Sequence, residues 1–274
     1  MRHLLSGSQK LNDPKILPVY VVSLEQDIKR RAILKEQFPL FYDQFIRIKA
    51  IDGRKLSADE YFNKTLPFFK KYNRPMSPAE LGATLSHIQA LEDFLKTNAA
   101  YALILEDDVL GSDENIRAIQ SMASFLPAQS VLLCGLQYND SISKFRRGKK
   151  VKSLPLYKIS TFSHPYVWGS YAYVVTRFSA QHILDKHRST LVLSDKYDYF
   201  MDANMELYVT IQLQHPENRE LSNIQGDRDK IQVPKKSFLQ KIMTPNLPIK
   251  IVKFLWPRLK LLLTMIHNEK LPEN

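Results

Sequence analysis

The stretch YALILEDDV, residues 101–109, decides the fold and carries the strongest functional signal in the chain. Its apolar residues do not alternate with polar ones, which is typical of a strand buried on both faces of a sheet. Three acids, Glu106, Asp107 and Asp108, follow where this strand leaves the sheet. Carboxylates this close raise one another's pKa unless a cation intervenes. The stretch predicts a site for Mg²⁺ or Mn²⁺, or else a solvated strand end that caps the next helix.

Similar apolar runs lie on both sides of this strand. They predict further strands at residues 16–24, 45–50, 131–133 and 171–176, and helices at residues 27–38, 77–96 and 179–187. Strands that alternate with helices indicate an α/β fold with a mostly parallel sheet and helices on both faces. Ligands of such sheets bind outside the carboxyl ends of the strands, which is where the three acids lie.

The composition is that of an ordinary globular protein and excludes a disordered or fibrous chain. Of 274 residues, 44% are hydrophobic and 24% are charged, and the net charge is +11. This charge favours an anionic partner, and part of it lies in a predicted mobile basic loop at residues 144–152. The single cysteine, Cys134, lies in an apolar run and indicates packing in a reducing compartment. We see neither a signal peptide nor a membrane-spanning run, so we expect a cytoplasmic protein.

Several other polar residues are candidates for the site. Asp198 and Asp202 lie four apart among aromatic residues, where one of them could act as a base, or both could be surface acids of a helix. His87 lies on a predicted helix, where a structural role is the commoner one. The pair Arg30 and Arg31 could clamp a phosphate or simply be solvated. The seven histidines lack metal-ligand spacing, which argues against a zinc site.

The end of the chain predicts a basic amphipathic helix. One helical stripe is apolar, and the opposite face carries lysines; the stripe consists of Val252, Leu255, Leu259, Leu262, Leu263 and Ile266. Such helices lie in the headgroup plane of anionic membranes. The alternative is a helix that packs on the protein's own core.

Six segments, taken in order, resemble glycosyltransferase family 25, the bacterial lipooligosaccharide glycosyltransferases. They are PVYVVSLEQDIKRR at 18–31, AIDG at 50–53, ELGATLSHIQAL at 80–91, YALILEDDV at 101–109, GSYAYVVTRFSAQHIL at 169–184 and HPENRELSNI at 215–224. The resemblance covers residues 16–226. The chain departs from it at Ala83, where many members have cysteine, and at Leu91, where many have tryptophan.

The resemblance implies a GT-A-like nucleotide-binding fold and a metal-dependent, inverting transfer of a hexose. The donor would be a UDP-sugar, most commonly UDP-galactose, the metal Mn²⁺ or Mg²⁺, and the acceptor a lipid-linked saccharide. Asp108 and Glu106 would hold the metal, with Glu106 or Asp107 on the ribose or on metal-bound waters. The resemblance places Ser23 and Arg31 at the nucleotide end of the site. It makes Asp198 the candidate catalytic base or second metal contact, with Asp202 as the other choice.

The sequence therefore predicts a catalytic domain at residues 1–226 and an amphipathic tail at residues 227–274. The tail would hold the enzyme on the inner face of the cytoplasmic membrane. Two rival functions remain open. A nucleic-acid or anionic-surface binding protein would explain the charge, although the chain has no recognition motif and we expect no nucleic-acid partner. A metal-dependent phosphodiesterase would use the same acids, although further metal ligands are not evident.

Overall fold

The computed structural model describes residues 17–137, 140–152, 154–216 and 247–272. The predicted domain boundary after residue 226 lies outside this part of the chain. Among the described residues, the dominant feature is a nine-stranded sheet in the order β2-β1-β3-β7-β4-β8-β6-β5-β9. The strands are β1 Val19–Ser23, β2 Ile46–Lys49, β3 Tyr101–Glu106, β4 Ser130–Leu133, β5 Arg147–Lys150, β6 Tyr157–Ile159, β7 Ala172–Thr176, β8 Glu206–Val209 and β9 Glu269–Lys270.

The α/β fold class is confirmed, but the expectation of a mostly parallel sheet is not. The pairs β1·β2, β1·β3 and β4·β8 are parallel, whereas the other five pairs are antiparallel. Two of these antiparallel pairs belong to β7, which lies between β3 and β4 and runs against both of them. The other three join β5, β6, β8 and β9. An apolar run buried on both faces is compatible with either direction, so the sequence pattern could not distinguish them.

Helices cover both faces of the sheet, as predicted. They are α1 Ile28–Gln37, α2 Ala58–Tyr72, α3 Pro78–Leu95, α4 Asp113–Ala123, α5 Asp140–Ser143, α6 Arg177–Ser189, α7 Tyr197–Phe200 and α8 Leu247–Met265. The start of α3 is set by a capping box, in which Ser77 and Glu80 each accept a hydrogen bond from the other's backbone N–H. Short 3₁₀ helices occur at Tyr42–Gln44, Gly53–Lys55 and Thr161–Tyr166.

Alternate residues of the central strands pack into two separate cores. On β3, Ala102 and Ile104 belong to one core, whereas Leu103 and Leu105 belong to the other. All four side chains are completely buried. A strand without polar alternation is therefore apolar because both of its faces are covered. Cys134 is also completely buried, which confirms its predicted packing role.

Two predictions about basic segments change in the structure. The segment at 144–152 is not a loop throughout, because β5 lies within it and pairs with both β6 and β9. The tail does contain the predicted helix, α8, with Pro257 inside it. The end of the tail then joins the main sheet through β9, and Leu271 is buried in the core. Residues 269–271 are therefore part of the main fold.

Five of the apolar side chains that the structure describes on α8 are exposed. They are Trp256, Leu259, Leu262, Leu263 and Met265, and Ile266 follows directly after the helix. Among the residues described, no helix combines the length and the apolar character that crossing a membrane requires.

Candidate active site at the carboxyl end of β3

A cleft of about 580 Å³ opens at the carboxyl ends of β1 and β3. These two strands are neighbours, but the chain leaves β1 toward β2 on one side and returns to β3 on the other. Such a switch point leaves a crevice, which is the usual ligand site of α/β sheets. Residues from several distant segments line it, among them Ser23, Arg30, Asp52, Asp108, Trp168 and His215.

The three predicted acids lie in this cleft, together with a histidine that we did not predict. Ligand atoms of Glu106, Asp108 and His215 all lie within 4.8 Å of one another. His215 Nε2 is 3.7 Å from Asp108 Oδ2. The side chains are 22%, 14% and 19% exposed, respectively, so the group is largely covered yet open to the cleft.

The backbone explains how a residue so distant in sequence reaches the acids. Beyond β8 the chain continues along the sheet, and Gln214 and Leu110 exchange two backbone hydrogen bonds of 2.8 and 2.9 Å. This bridge places His215 beside the residues that follow β3. The His215 ring also packs edge-on against Tyr171, with ring centroids 5.4 Å apart.

Two adjacent arginines have different roles at the β1 side of the cleft. Arg30 reaches into the acidic group, and its Nη1 lies 3.1 Å from Asp107 and 3.2 Å from Asp108. Arg31 instead donates to Ser23 Oγ at 2.7 Å and to the carbonyls of Leu24 and Glu25. Arg31 therefore fixes the turn after β1, and Arg30 is the arginine that lines the cleft. Ser23 also lies in the lining of the cleft.

Burial and the neighbouring charges shift the pKa values of the three acids in different directions. The pKa of Asp108 rises to about 6 because the carboxyl is buried and because Glu106 lies beside it. Burial also raises the pKa of Asp107. For Glu106, burial alone would raise the pKa. The interactions with His87 and His215 outweigh burial, so the pKa of Glu106 lies below its ordinary value.

The residues of this group fit a divalent cation. Within the described part of the chain, the buried atoms Asp107 Oδ2 and Asp108 Oδ1 have no hydrogen-bond partner. Unpaired buried carboxylate oxygens are costly, and a cation would remove that cost. Carboxylates suit Mg²⁺ and Mn²⁺, and one imidazole beside them shifts the preference toward the softer Mn²⁺.

A series of polar contacts between side chains leads from Tyr173 through His87 to Glu106. His87 Nδ1 lies 3.1 Å from the Tyr173 hydroxyl, and His87 Nε2 lies 3.4 Å from Glu106 Oε1. The same carboxylate oxygen accepts a hydrogen bond of 3.0 Å from Ser170. His87 is therefore not an isolated core histidine. It lines the cleft and contacts a candidate metal ligand.

The structure does not bring Asp198 or Asp202 into the cleft. Asp198, on α7, forms an ion pair of 2.8 Å with Lys196. Asp202 lies beyond the end of α7, so the two acids do not share a helix face, and it pairs with Lys186 at 3.1 Å. Neither residue lines the cleft, whereas Asp195 does. The geometry gives no support to a catalytic role for Asp198 or Asp202.

Comparison with known proteins bears directly on this arrangement. The profile of glycosyltransferase family 25, described as an LPS biosynthesis protein family, matches residues 16–201. The chain belongs to glycosyltransferase family 25. A Haemophilus influenzae protein, named as a candidate glycosyltransferase, is 27% identical to this family 25 chain in an alignment of 252 positions that covers 86% of each protein.

Insect relatives share a shorter segment with this family 25 chain. An Anopheles gambiae "Glycosyltransferase 25 family member" is 30% identical over 96 residues, or 33% of this chain. The matched segment spans only 16% of that mosquito protein. A solved structure of mannose-1-phosphate geranyltransferase from Thermus thermophilus overlaps 74% of this chain and 75% of its own, with 12% identity and a TM-score of 0.33. That likeness is too low to support an inference.

The residues that sequence reasoning missed share one property. His215, Asp195, Ser170 and Trp168 all lie in loops and gain their neighbours through the sheet order. His215 stands in a segment that resembles the family, but nothing in its spacing indicated a metal ligand. Arg30 was one of two adjacent arginines, and only the direction of the helix separates their roles.

Proposed function

We propose that this protein is a metal-dependent glycosyltransferase that moves a hexose from a UDP-sugar to a saccharide acceptor. One observation carries the proposal: in a family 25 chain, Glu106, Asp108 and His215 converge beside Arg30 in a cleft at a switch point of the sheet. Carboxylates together with a diphosphate are the usual ligands of Mg²⁺ and Mn²⁺ at nucleotide sites. The sequence resemblance favours galactose as the transferred hexose.

The roles of the cleft residues follow from their charges. Glu106, Asp108 and His215 would hold the cation, which neutralises the diphosphate as it leaves. Arg30 lies within reach of the same place and would bind a phosphate oxygen once the diphosphate competes for it. Ser23 lies at the end of β1, and Asp107 lies beside Arg30. Both line the cleft and would face the ribose and the waters bound to the metal.

The acceptor hydroxyl needs a base on the opposite side of the sugar from the diphosphate. Asp195 lines the cleft and Asp198 and Asp202 do not, so we propose Asp195 in their place. Its carboxylate would take the hydroxyl proton as the oxygen bonds to the anomeric carbon and the bond to the diphosphate breaks. A single displacement inverts the anomeric configuration, so an α-linked donor sugar would give a β-linked product.

Calorimetric titration tests the donor site. Metal-stripped protein should bind UDP weakly or not at all, and added Mn²⁺ should restore binding more strongly than added Mg²⁺. UDP-galactose and UDP-glucose would then rank the donor sugar. Undiminished turnover in excess EDTA would contradict metal dependence, and the absence of binding to all three nucleotides with Mn²⁺ would contradict a UDP-sugar donor.

The tail supports an acceptor at a membrane surface. Helix α8 exposes Leu262 and Leu263, at 64% and 69%, and Lys260 is also exposed. Apolar side chains beside lysines favour an anionic bilayer surface. We therefore propose that the enzyme lies on the inner face of the cytoplasmic membrane, where it meets a lipid-linked saccharide of the lipooligosaccharide type.

Vesicle flotation tests this placement with point variants. Removal of the whole tail would also remove β9 and the buried Leu271, so its effect could not be assigned to the helix surface. Leu262→Ser with Leu263→Ser should reduce flotation with phosphatidylglycerol vesicles. The matched control, Phe62→Ser with Leu66→Ser, changes exposed apolar residues of α2 instead. Equal recovery of the tail variant and the wild type would contradict the proposal.

A further inference from the structure

The segment just before β7, residues 168–171, forms one wall of the cleft beside the acidic group. Ala172, the first residue of β7, pairs with Leu105 of β3. One residue earlier, the carbonyl of Tyr171 accepts a hydrogen bond of 2.8 Å from the backbone N–H of Glu106. The segment is therefore adjacent to a proposed metal ligand, on the side of β3 away from β1.

Side chains from two directions fix this segment in place. Ser170 donates to Glu106 and lies 2.9 Å from the hydroxyl of Ser194. The N–H of Gly169 donates to Asp195 Oδ2 at 3.2 Å, and its carbonyl accepts from the Tyr197 hydroxyl at 3.1 Å. Both peptide groups of Gly169 are thus held, so the residue before it has a defined position.

Gly169 also needs a backbone conformation that other residues rarely adopt. Its φ is +103°, and a Cβ at this position would lie 3.2 and 3.3 Å from ring atoms of Tyr171. Just before Gly169, Val167 is completely buried, whereas Trp168 is 38% exposed and lines the cleft. A large aromatic ring is held partly open to solvent at the mouth of the cleft.

The strand order separates this ring from the proposed nucleotide side. Ser23 and Arg30, which we propose for the nucleotide, lie at the end of β1 and in the helix after it, whereas Trp168 precedes β7. The acidic end of β3 lies between them. A nucleotide bound at the β1·β3 switch point would leave the Trp168 side for the second substrate. Asp195, which holds Gly169, lines the same part of the cleft.

An aromatic face next to a carboxylate fits the chemistry of a sugar ring. A pyranose presents a face of C–H groups, which carry partial positive charge and pack on the negative face of an indole. Its hydroxyl groups donate well to a carboxylate. An apolar surface combined with a few placed polar groups is what gives small-molecule sites their specificity.

We propose that Trp168 and Asp195 form the subsite that binds the sugar ring of the acceptor, with the ring packed on the indole and a hydroxyl donated to the carboxylate. This inference rests on the proposed transferase function. Trp168 would set the position of the acceptor without contacting the diphosphate, so it governs acceptor affinity and not donor affinity.

Fluorescence provides a direct test, because the chain has two tryptophans. In Trp256→Phe, Trp168 is the sole indole. Its emission should change saturably on titration with at least one of methyl β-galactoside, methyl β-glucoside, methyl N-acetyl-β-glucosaminide and lactose, and should not change with glycerol. An emission that responds to none of these saccharides, in protein that binds UDP with Mn²⁺, would overturn the subsite.

Two substitutions at Trp168 separate a binding role from a structural one. Trp168→Ala should weaken the saccharide affinity, measured by saturation-transfer NMR, by about tenfold, and Trp168→Phe should recover most of it. The affinity for UDP with Mn²⁺ should be unchanged in both. Loss of UDP affinity in Trp168→Ala would overturn the assignment and place the indole on the nucleotide, and unchanged saccharide affinity would overturn it as well.

The design also separates this inference from the proposed function. If the wild-type protein bound no UDP with Mn²⁺ but Trp168 still responded to a saccharide, the subsite would stand and the UDP-sugar transferase would fail. If UDP bound and none of the saccharides did, the subsite would fail and the UDP-sugar donor site would stand.

Discussion

Two groups of carboxylates looked similar in the sequence, and the structure neutralises them in different ways. At Glu106–Asp108, one guanidinium contacts two carboxylates, and buried oxygens remain without a hydrogen-bond partner in the described chain. At Asp198 and Asp202, each carboxylate has a lysine of its own. The second group is also more exposed, at 32% and 37%. Negative charge that is already balanced and solvated has little need of a further cation, whereas buried charge that is only partly balanced has such a need.

The sharpest test of this contrast replaces one acid from each group. Asp108→Asn should reduce transfer by about a thousandfold and abolish metal-dependent UDP binding, because a metal contributes several kcal/mol to charge stabilisation. Asp202→Asn, the matched control, should keep both properties close to wild type. Calorimetry and a transfer assay measure the two effects. Equal losses in the two variants would remove the distinction between the groups.

The next test concerns the catalytic base. Asp195→Asn should lower kcat by about a hundredfold or more and leave UDP affinity intact, because the amide cannot accept the acceptor's proton. Asp198→Asn is the control and should retain its activity. If Asp198→Asn lost activity and Asp195→Asn did not, the original sequence interpretation would be restored.

A smaller effect on UDP binding is expected when the basic side chain that faces each group of carboxylates is replaced. Arg30→Met should weaken UDP binding by about ten- to a hundredfold, since a charge-assisted hydrogen bond contributes about 1.5–3 kcal/mol. Lys196→Met removes the partner of Asp198 and should leave UDP binding unchanged. Titration of both variants with UDP and Mn²⁺ compares them. An unaffected Arg30→Met variant would exclude contact between Arg30 and the diphosphate.

The smallest effect is on stability. Asp202→Ala should lower the free energy of unfolding by less than about 1 kcal/mol, because its ion pairs with Lys186 and His182 are partly solvated. Urea denaturation monitored by circular dichroism measures it. A much larger loss would show that this second group is a structural element and not a surface pair.

Most of the central fold could be predicted from the chain itself. The apolar strands β1, β3, β4 and β7 were found because burial on both faces leaves a continuous run. The helix predicted at residues 77–96 corresponds to α3, whose start is set by the capping residues Ser77 and Glu80. Strand direction, by contrast, depends on how β7 enters the sheet, and the polar strands β5, β6 and β9 have no core pattern to reveal them.

The site was predictable only where its residues are adjacent in sequence. Glu106–Asp108 form one run, so their proximity was certain before any fold was known. His215 joins them through the bridge between Gln214 and Leu110, and Asp195 approaches through its bond to Gly169. These contacts depend on long-range pairing. No local spacing encodes such pairing, and Asp198 attracted attention in place of Asp195 for that reason.

The two outer strands of the sheet have a consequence for how the protein behaves at high concentration. An open sheet edge offers unpaired N–H and C=O groups that can bind another chain, and short or charged edge strands discourage such pairing. At one edge β2 carries Arg47 and Lys49, and at the other β9 is only two residues long, Glu269 and Lys270. Charge at one edge and the short strand at the other therefore discourage self-association through the sheet. Loss of β9 would uncover the longer edge of β5 and leave its basic residues as the only protection against aggregation.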